Sequence, residues 1–350
     1  MAFPFDSILI TAEMLALIAE IDEFRGSWRS LKTLAPERLA ALRKVATIES
    51  IGSSTRIEGA RLSDREVEAL LSRIETHSFR SRDEEEVAGY ATAMEQIFLS
   101  FDSIPITENY IQQLHGILLR FSRKDERHRG RYKTLSNNVE AFGPDGASLG
   151  VVFETASPFE TPFRMQELVQ WGNRAFGDSR MHPLLATAVF TVVFLAIHPF
   201  QDGNGRISRI LTTLLLLKSG YGYVPFSSLE SIVEQNKESY YLALRRTQQS
   251  LKQERPDWEP WVFFFLQALR RQTQVLAAKV EQSQLMLRSL SALEEKIVEL
   301  ARSQGRISVG EVLRVTGANR NTIKQRINGL VNRGILARNG AGRGVWYSIT

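Results

Sequence analysis

Residues 183–197 are apolar nearly all the way round a helix, and a second, mostly apolar helical run, 205–218, follows almost at once and stops at Gly220. A helix with no polar face has to be enclosed on every side. The two most apolar segments, Leu184–Ile197 and Ile210–Leu217, both fall short of the ~20 residues that span a bilayer. Other protein segments must therefore do the enclosing. Helical spacing of apolar residues predicts them over 12–24, 37–50, 84–101, 107–121, 163–176, 230–250 and 259–286. The chain is expected to be mainly α, a helical bundle around a buried central pair.

What breaks that pair is the segment HPFQDGNGRISR, residues 198–209. Pro199 biases His198 away from helical geometry and marks the end of the first helix. Gly203, Asn204 and Gly205 tolerate left-handed or strained backbone. A helix N-terminus reached through such a turn exposes N–H groups that suit a phosphate. Arg206 and Arg209, three apart, add positive charge on one face. Asp202 offers a hard carboxylate suited to Mg²⁺ bridging phosphates. His198 carries the one side chain here with a reference pKa of ~6.5, apt for a general base near neutrality. The plainer alternative is a tight interhelix turn with a capping Asp and two surface arginines.

The segment matches the Fic signature HPFx(D/E)GNGRxxR at every fixed position, and the chain resembles the Fic family over roughly residues 40–270. The likeness includes VVFETASPF (151–159), MQELVQW (165–171) and NKESYYLAL (236–244). The resemblance implies a Fic-type helical bundle with a small β-hairpin flap, and transfer of AMP from ATP to a Ser, Thr or Tyr hydroxyl of a target protein, with release of pyrophosphate. It implies that His198 deprotonates that hydroxyl and that Asp202 holds Mg²⁺ between the α- and β-phosphates. The Gly203–Asn204–Gly205 backbone would cradle the phosphates, with help from the Asn204 side chain and Arg206. Arg209 would grip the γ-phosphate. A kinase-like branch of the fold replaces GNGR; here Gly205 and Arg206 are intact, which favours AMP transfer over phosphorylation.

Upstream, Ser54, Glu58 and Gly59 fit the pattern (S/T)xxxE(G/N) that Fic proteins carry on an inhibitory helix. The expectation is that Glu58 makes a bidentate pair with Arg209, so that ATP binds with its α-phosphate misaligned. The plainer reading is a surface Glu near a Gly C-cap. Tyr240 and Tyr241 resemble the paired tyrosines behind the Fic motif, with one beside the adenine or ribose, although tyrosines on such a helix also serve as core. Gln248, two turns on, is a further candidate for adenine. Val151, Val152 and Phe153 read as the flap that takes the target segment by strand addition. The polar, Gly-rich run 122–150 reads as loop, of a length that is usually functional. His77, His115 and His128 read as surface or capping residues and His182 as structural, so no metal is assigned to a histidine.

After residue 289 the rhythm changes. Helices at 291–303, 309–315 and 320–333, then two short strands around a Gly-rich tip, make the order of a winged helix-turn-helix. This stretch holds ten Lys and Arg against four Glu, an excess larger than the whole chain's +5. Arg320, Asn321, Lys324 and Gln325 on the second helix of the turn, with Arg343 near the wing tip, are types that contact bases or phosphates. Protein docking or dimerisation is the alternative use.

The expected organisation is an N-terminal helical region with the inhibitory helix (1–85), a catalytic core (86–255), a connecting helix (256–288) and the winged helix (289–350). The absence of cysteine excludes disulfides, a thiolate nucleophile and Cys-ligated zinc. No basic region precedes the first apolar residues, so a signal peptide is not expected. The protein is read as soluble and cytoplasmic, with ATP and Mg²⁺ as substrate and cofactor, DNA as a candidate partner, a homodimer as a candidate assembly and no membrane. The competing functions are a DNA-binding regulator that uses the Fic fold as a nucleotide sensor, and a de-AMPylase that uses the same residues.

Overall fold

The computed structural model describes residues 8–31, 36–74, 78–142, 148–177, 181–288 and 290–349. His77 lies outside them. The chain forms two compact units, one of residues 1–33 and 42–274 and one of residues 34–41 and 275–350. Among the described residues no helix is long and apolar enough to cross a membrane.

The first unit is built on α7 (Pro183–Ile197) and α8 (Asn204–Lys218). His182 caps α7 with Pro183 at its first position, and every residue from Leu184 to Ile197 is buried, as an all-apolar helix demands. The enclosure comes from α4 (Arg82–Ser100), α5 (Glu108–Leu118), α6 (Thr161–Gly177), α10 (Lys237–Ser250) and the first part of α11 (Glu259–Arg288). Gly89 lets α4 meet the Leu118 carbonyl at a distance no Cβ would allow. Trp261 of α11 donates its indole N–H to Ala188 O at 2.7 Å. The first unit also holds α1 (Ala12–Leu31), the part of α2 (Pro36–Ile57) from residue 42 on, α3 (Asp64–Leu71) and α9 (Leu229–Gln235).

Three expectations are corrected. The helix expected at 37–50 runs on to Ile57, because its polar end is internally satisfied: Thr55 Oγ1 donates to Ile51 O at 3.0 Å and Ser53, Ser54 and Thr55 are buried. The helix expected at 230–250 is two, α9 and α10, parted at Asn236, whose side chain donates to Ile232 O at 2.8 Å. The run read as loop from 122 contains strand β1 (Val139–Phe142), which pairs antiparallel with β2 (Ser148–Phe153) to form the hairpin.

The second unit contains α12 (Ala292–Gln304), α13 (Val309–Thr316), α14 (Arg320–Asn332), β3 (Leu336–Asn339) and β4 (Trp346–Ile349). This is the order of elements expected from the sequence. Capping boxes at Ser291/Glu294 and Ser308/Glu311 start α12 and α13, and Gly305 and Gly317 end them in left-handed conformation. Strands β3 and β4 pair from Leu336↔Ile349 to Asn339↔Trp346, and Ile307 bridges Tyr347 on the other side. The core of the unit is Ile297, Ile307, Val312, Ile323, Ile327 and Leu330, each fully enclosed.

Candidate active site

The C-cap of α7 is His198, at φ 52° and ψ 58°. Among the described residues it is the one non-glycine with positive φ, a conformation that costs a residue with a Cβ about 1–2 kcal/mol. Its Nδ1 lies 3.4 Å from Leu195 O. A carbonyl can only accept, so this contact places the ring proton on Nδ1 and leaves Nε2 as the basic nitrogen. Burial, and after it the Lys133 ammonium, push the imidazole pKa down to about 4, against the pull of Glu58 and Asp202. The ring is neutral at pH 7, as a base must be.

The turn into α8 is shaped by its own polar groups. Gly203, at φ 80°, is the N-cap. The Asn204 amide is engaged at both ends by one residue: Phe200 N–H donates to Oδ1 at 2.9 Å, and Nδ2 donates to Phe200 O at 2.7 Å. These two bonds make the side chain a builder of the loop. Asp202 accepts from Gly203 N–H at 2.6 Å, from Arg206 at 3.3 Å and from Arg82 at 3.1 Å. Burial opposes its ionisation, but Arg206, the Gly203 N–H and Arg82 outweigh that and hold the carboxyl below its usual value. Arg206 is buried, with Nη1 3.0 Å from Glu86. No group of three or more His, Cys, Asp or Glu among the described residues could hold a cation. A single carboxylate does fit Mg²⁺, which takes much of its coordination from phosphate oxygens and water.

Arg209 lies one turn into α8, 7% exposed. Its Nε donates to Ser54 Oγ at 2.8 Å, and its Nη2 donates to Ser54 O at 2.9 Å and to Glu58 Oε1 at 2.7 Å. The pairing with Glu58 expected from the sequence is present, but through one guanidinium nitrogen only; the bidentate form is corrected, since Ser54 takes Nε and shares Nη2 while Nη1 bonds no described group. Burial works against the charge on Arg209, yet Glu58 and its other neighbours raise its pKa further. Glu58 also sits over Gly205, where any Cβ would collide with its carboxylate. Gly59, at φ 106°, turns the chain away after α2.

Some of these groups line one cleft of about 440 Å³, which Asp202, Arg206 and Arg209 do not line. His198 and Gly205 come from the motif, Glu58 from the end of α2, Tyr240 and Gln248 from α10, and Phe153 from the hairpin. Tyr240 is buried against Trp261 and Phe264, so it is also core, and Tyr241 is exposed. Val151 and Val152 lie in β2, and their side chains fall outside the described residues.

Known proteins resemble this chain in sequence and in fold. Residues 105–216 match the Fic/DOC family. A protein adenylyltransferase Fic of Drosophila willistoni is 28% identical over 230 residues, which is 65% of this chain and 42% of that relative; the Drosophila ananassae counterpart is 29% identical over 238 residues, 65% and 44%. The chain thus spans less than half the length of these relatives. A crystal structure of a Fic-domain signaling protein from Bacteroides thetaiotaomicron superposes with a TM-score of 0.61 at 26% identity, covering 75% of this chain and 97% of that one. A Fic family protein from Desulfovibrio desulfuricans superposes at 0.63 with 24% identity over 98% of both chains. The chain thus resembles Fic proteins in the sequence of residues 105–216 and in fold. Residues 278–348 match a bacterial family of unknown function, DUF977.

The loop 198–209 owes its geometry to residues the sequence did not flag. His115 was expected at the surface or as a cap; it is fully buried, because its ring stacks on Phe200 at 3.8 Å and bridges two backbones. Gly130 N–H donates to its Nδ1 at 3.0 Å, so Nε2 carries the proton it donates to Asp202 O at 3.0 Å. Burial holds this imidazole down to about 4. His182 bonds Asp22 at 3.1 Å, consistent with a structural role. Arg82 and Glu86 orient Asp202 and Arg206, and Lys133 and Asn137 grip the loop from behind. The signal that could have found the last two was the length of the polar run after Phe121. In the second unit Arg320, Asn321, Lys324 and Gln325 are all exposed, and the side chain of Arg343 lies outside the described residues.

Proposed function

We propose that the Fic domain transfers AMP from ATP to a hydroxyl side chain of a target protein, and that Glu58 restrains it. The observation that carries this reading is a neutral His198, its Nδ1 occupied by Leu195, sharing one cleft with the N-terminus of α8. With the phosphates of ATP on the N–H groups of that turn, the target oxygen attacks the α-phosphorus and His198 Nε2 takes its proton. The bond from the α-phosphorus to the bridging oxygen breaks, and pyrophosphate leaves. Asp202 would hold Mg²⁺, which when bound neutralises phosphate charge. Arg206, engaged with Glu86 and Asp202, keeps that carboxylate in place. The chain's contribution is positioning and charge stabilisation.

Restraint follows from competition. Glu58 holds the Arg209 group that would grip the γ-phosphate, and its carboxylate lies against Gly205 where a phosphate oxygen would approach. The two-stranded hairpin offers an edge for the target backbone. The test is incorporation of labelled ATP by wild type, Glu58→Gly and His198→Ala, read by mass spectrometry. AMP addition that rises in Glu58→Gly and vanishes when His198→Ala is added supports the reading; addition of a phosphate overturns it.

The second unit is proposed to be a winged helix that contacts nucleic acid through α14. Four exposed polar and basic side chains on its first two turns favour this reading. A salt-titrated gel shift with the full chain tests it, and retention that ignores salt counts against it.

A further inference from the structure

Four consecutive carbonyls carry the chain out of α7, those of Ile197, His198, Pro199 and Phe200, and two residues of one segment take all four. Lys133 Nζ donates to Ile197 O at 3.1 Å and its backbone N–H donates to Pro199 O at 2.8 Å. Asn137 Nδ2 donates to His198 O at 3.2 Å and to Phe200 O at 2.6 Å. The Lys133 ammonium also donates to Asn137 Oδ1 at 2.7 Å and to Thr155 Oγ1 at 2.9 Å, so all three of its hydrogens have acceptors. Thr155 stands just past β2, and its N–H donates to Asn138 Oδ1 at 3.1 Å, which closes the foot of the hairpin.

This arrangement is more than a helix cap. The last carbonyls of a helix need partners and favour a cation, but a neutral donor would satisfy them. Lys133 is 3% exposed, its three acceptors are all uncharged oxygens, and burial pulls its pKa down to about 8. A buried cation without a bonded carboxylate is costly, and here it stands behind a histidine whose backbone is itself strained. Such strain persists where the surroundings over-determine it.

We propose that Lys133 is the positioning residue for His198: with Asn137 it sets the backbone of the base, and through Thr155 it couples that setting to the foot of the hairpin. The inference rests on reading His198 as the general base. It carries an electrostatic corollary. The charges facing His198 are Lys133 from the segment behind it, Glu58 from α2 and Asp202 from the loop before α8, while α10 brings Tyr240, Tyr241 and Arg245 to the same cleft. Glu58 and Asp202 favour the protonated ring; after burial, Lys133 is the group that opposes it.

The test uses the full chain in a Glu58→Gly background, with Lys133→Met, which keeps bulk without charge, and Lys133→Gln, which keeps a donor. Two readouts are taken: the His198 titration by NMR on histidine-labelled protein, and self-incorporation of labelled AMP against ATP concentration and pH. Lys133→Met is expected to raise the His198 midpoint by about one unit or more. It is expected to lower the rate at saturating ATP roughly tenfold or more, with the half-saturating ATP concentration little changed. Lys133→Gln is expected to move the midpoint as far and to lose less rate. An unchanged midpoint and rate in either folded variant overturns the inference. If Glu58→Gly itself incorporates no AMP, the transferase reading fails, and the NMR midpoint still decides what Lys133 does to His198. If Lys133→Met does not fold, Lys133→Gln supplies both readouts.

Discussion

The loop 198–209 and the start of α14 hold the same kinds of side chain and use them in opposite ways. Both combine arginine and asparagine at the N-terminus of a helix. In the loop, Asn204, Arg206 and Arg209 are buried and each is engaged, Asn204 by Phe200 within the loop itself, Arg206 by Glu86 and Arg209 by Ser54 and Glu58. On α14, Arg320, Asn321 and Lys324 face solvent, and the Asn321 backbone N–H donates to the Asn319 cap. Residue type thus does not decide function; enclosure does. A buried constellation gains strength from low dielectric but must be emptied of its internal partner before it can take a ligand. An exposed one is ready at once, at the cost of screening by salt.

The largest effects are expected where the partners are buried. Removing the base in a Glu58→Gly background, as His198→Ala, should lower AMP incorporation by roughly 10²–10⁴-fold. Glu58→Gly alone should raise incorporation over wild type by about a hundredfold, since displacement of a phosphate by ~1 Å costs that much. Equal incorporation by wild type and Glu58→Gly would end the idea that the loop is locked from inside.

The same enclosure predicts an acid limit to stability. His115 and His198 are both pushed down to about 4, from an ordinary 6.5. Between those values the unfolded chain binds more protons than the folded one, so stability falls as pH drops from about 6.5 towards 4. For the fully buried His115 the loss below pH 4 is on the order of 3 kcal/mol. Chemical denaturation across this range should show it, and His115→Asn, which keeps a donor and an acceptor without titrating, should flatten part of the slope. A slope that His115→Asn leaves untouched would assign the acid limit elsewhere.

A smaller effect is expected from the contact that seats the end of α2. Arg56, two residues before Glu58, makes a bidentate pair with Glu234 of α9 at 2.7 and 3.0 Å, and also reaches Asp64 at 2.9 Å. Glu234→Gln keeps the shape and removes the charge. It should free Glu58 part of the time and raise incorporation about tenfold, the equivalent of ~1.4 kcal/mol and within the worth of a charge-assisted pair. Incorporation at the wild-type level in Glu234→Gln, alongside a strong rise in Glu58→Gly, would show that Glu58 needs no such seat.

How far the site could be read beforehand follows the same division. The motif was legible because its chemistry is local: a helix end, a Gly-rich turn and a helix start within twelve residues. Glu58 was legible as a partner of Arg209, yet the share Ser54 takes of the guanidinium was not, since it depends on α2 continuing to Ile57 through a polar stretch. His115 left no local mark, and Lys133 and Asn137 were marked only by the length of the polar run that holds them. They act across 61 to 87 positions of sequence, and only packing brings them to the loop. The break at Asn236 and strand β1 were missed because one asparagine back-bond and one hairpin are decided by tertiary context rather than by periodicity.

The smallest effect belongs to the exposed side of the comparison. If α14 enters a groove with its free side chains, each cation there neutralises one phosphate and releases its counterions. Lys324→Ala should weaken binding of the full chain to duplex DNA uniformly across sequences and reduce the slope of log K against log salt by about one. Arg333 is the internal control. It lies at the end of the same helix but is paired with Glu294, which also caps α12. Arg333→Ala should therefore change the salt slope little and the stability of the second unit more. If both substitutions lower the slope equally, the Glu294 pair opens on binding, and the division between buried and ready side chains does not hold within α14 itself.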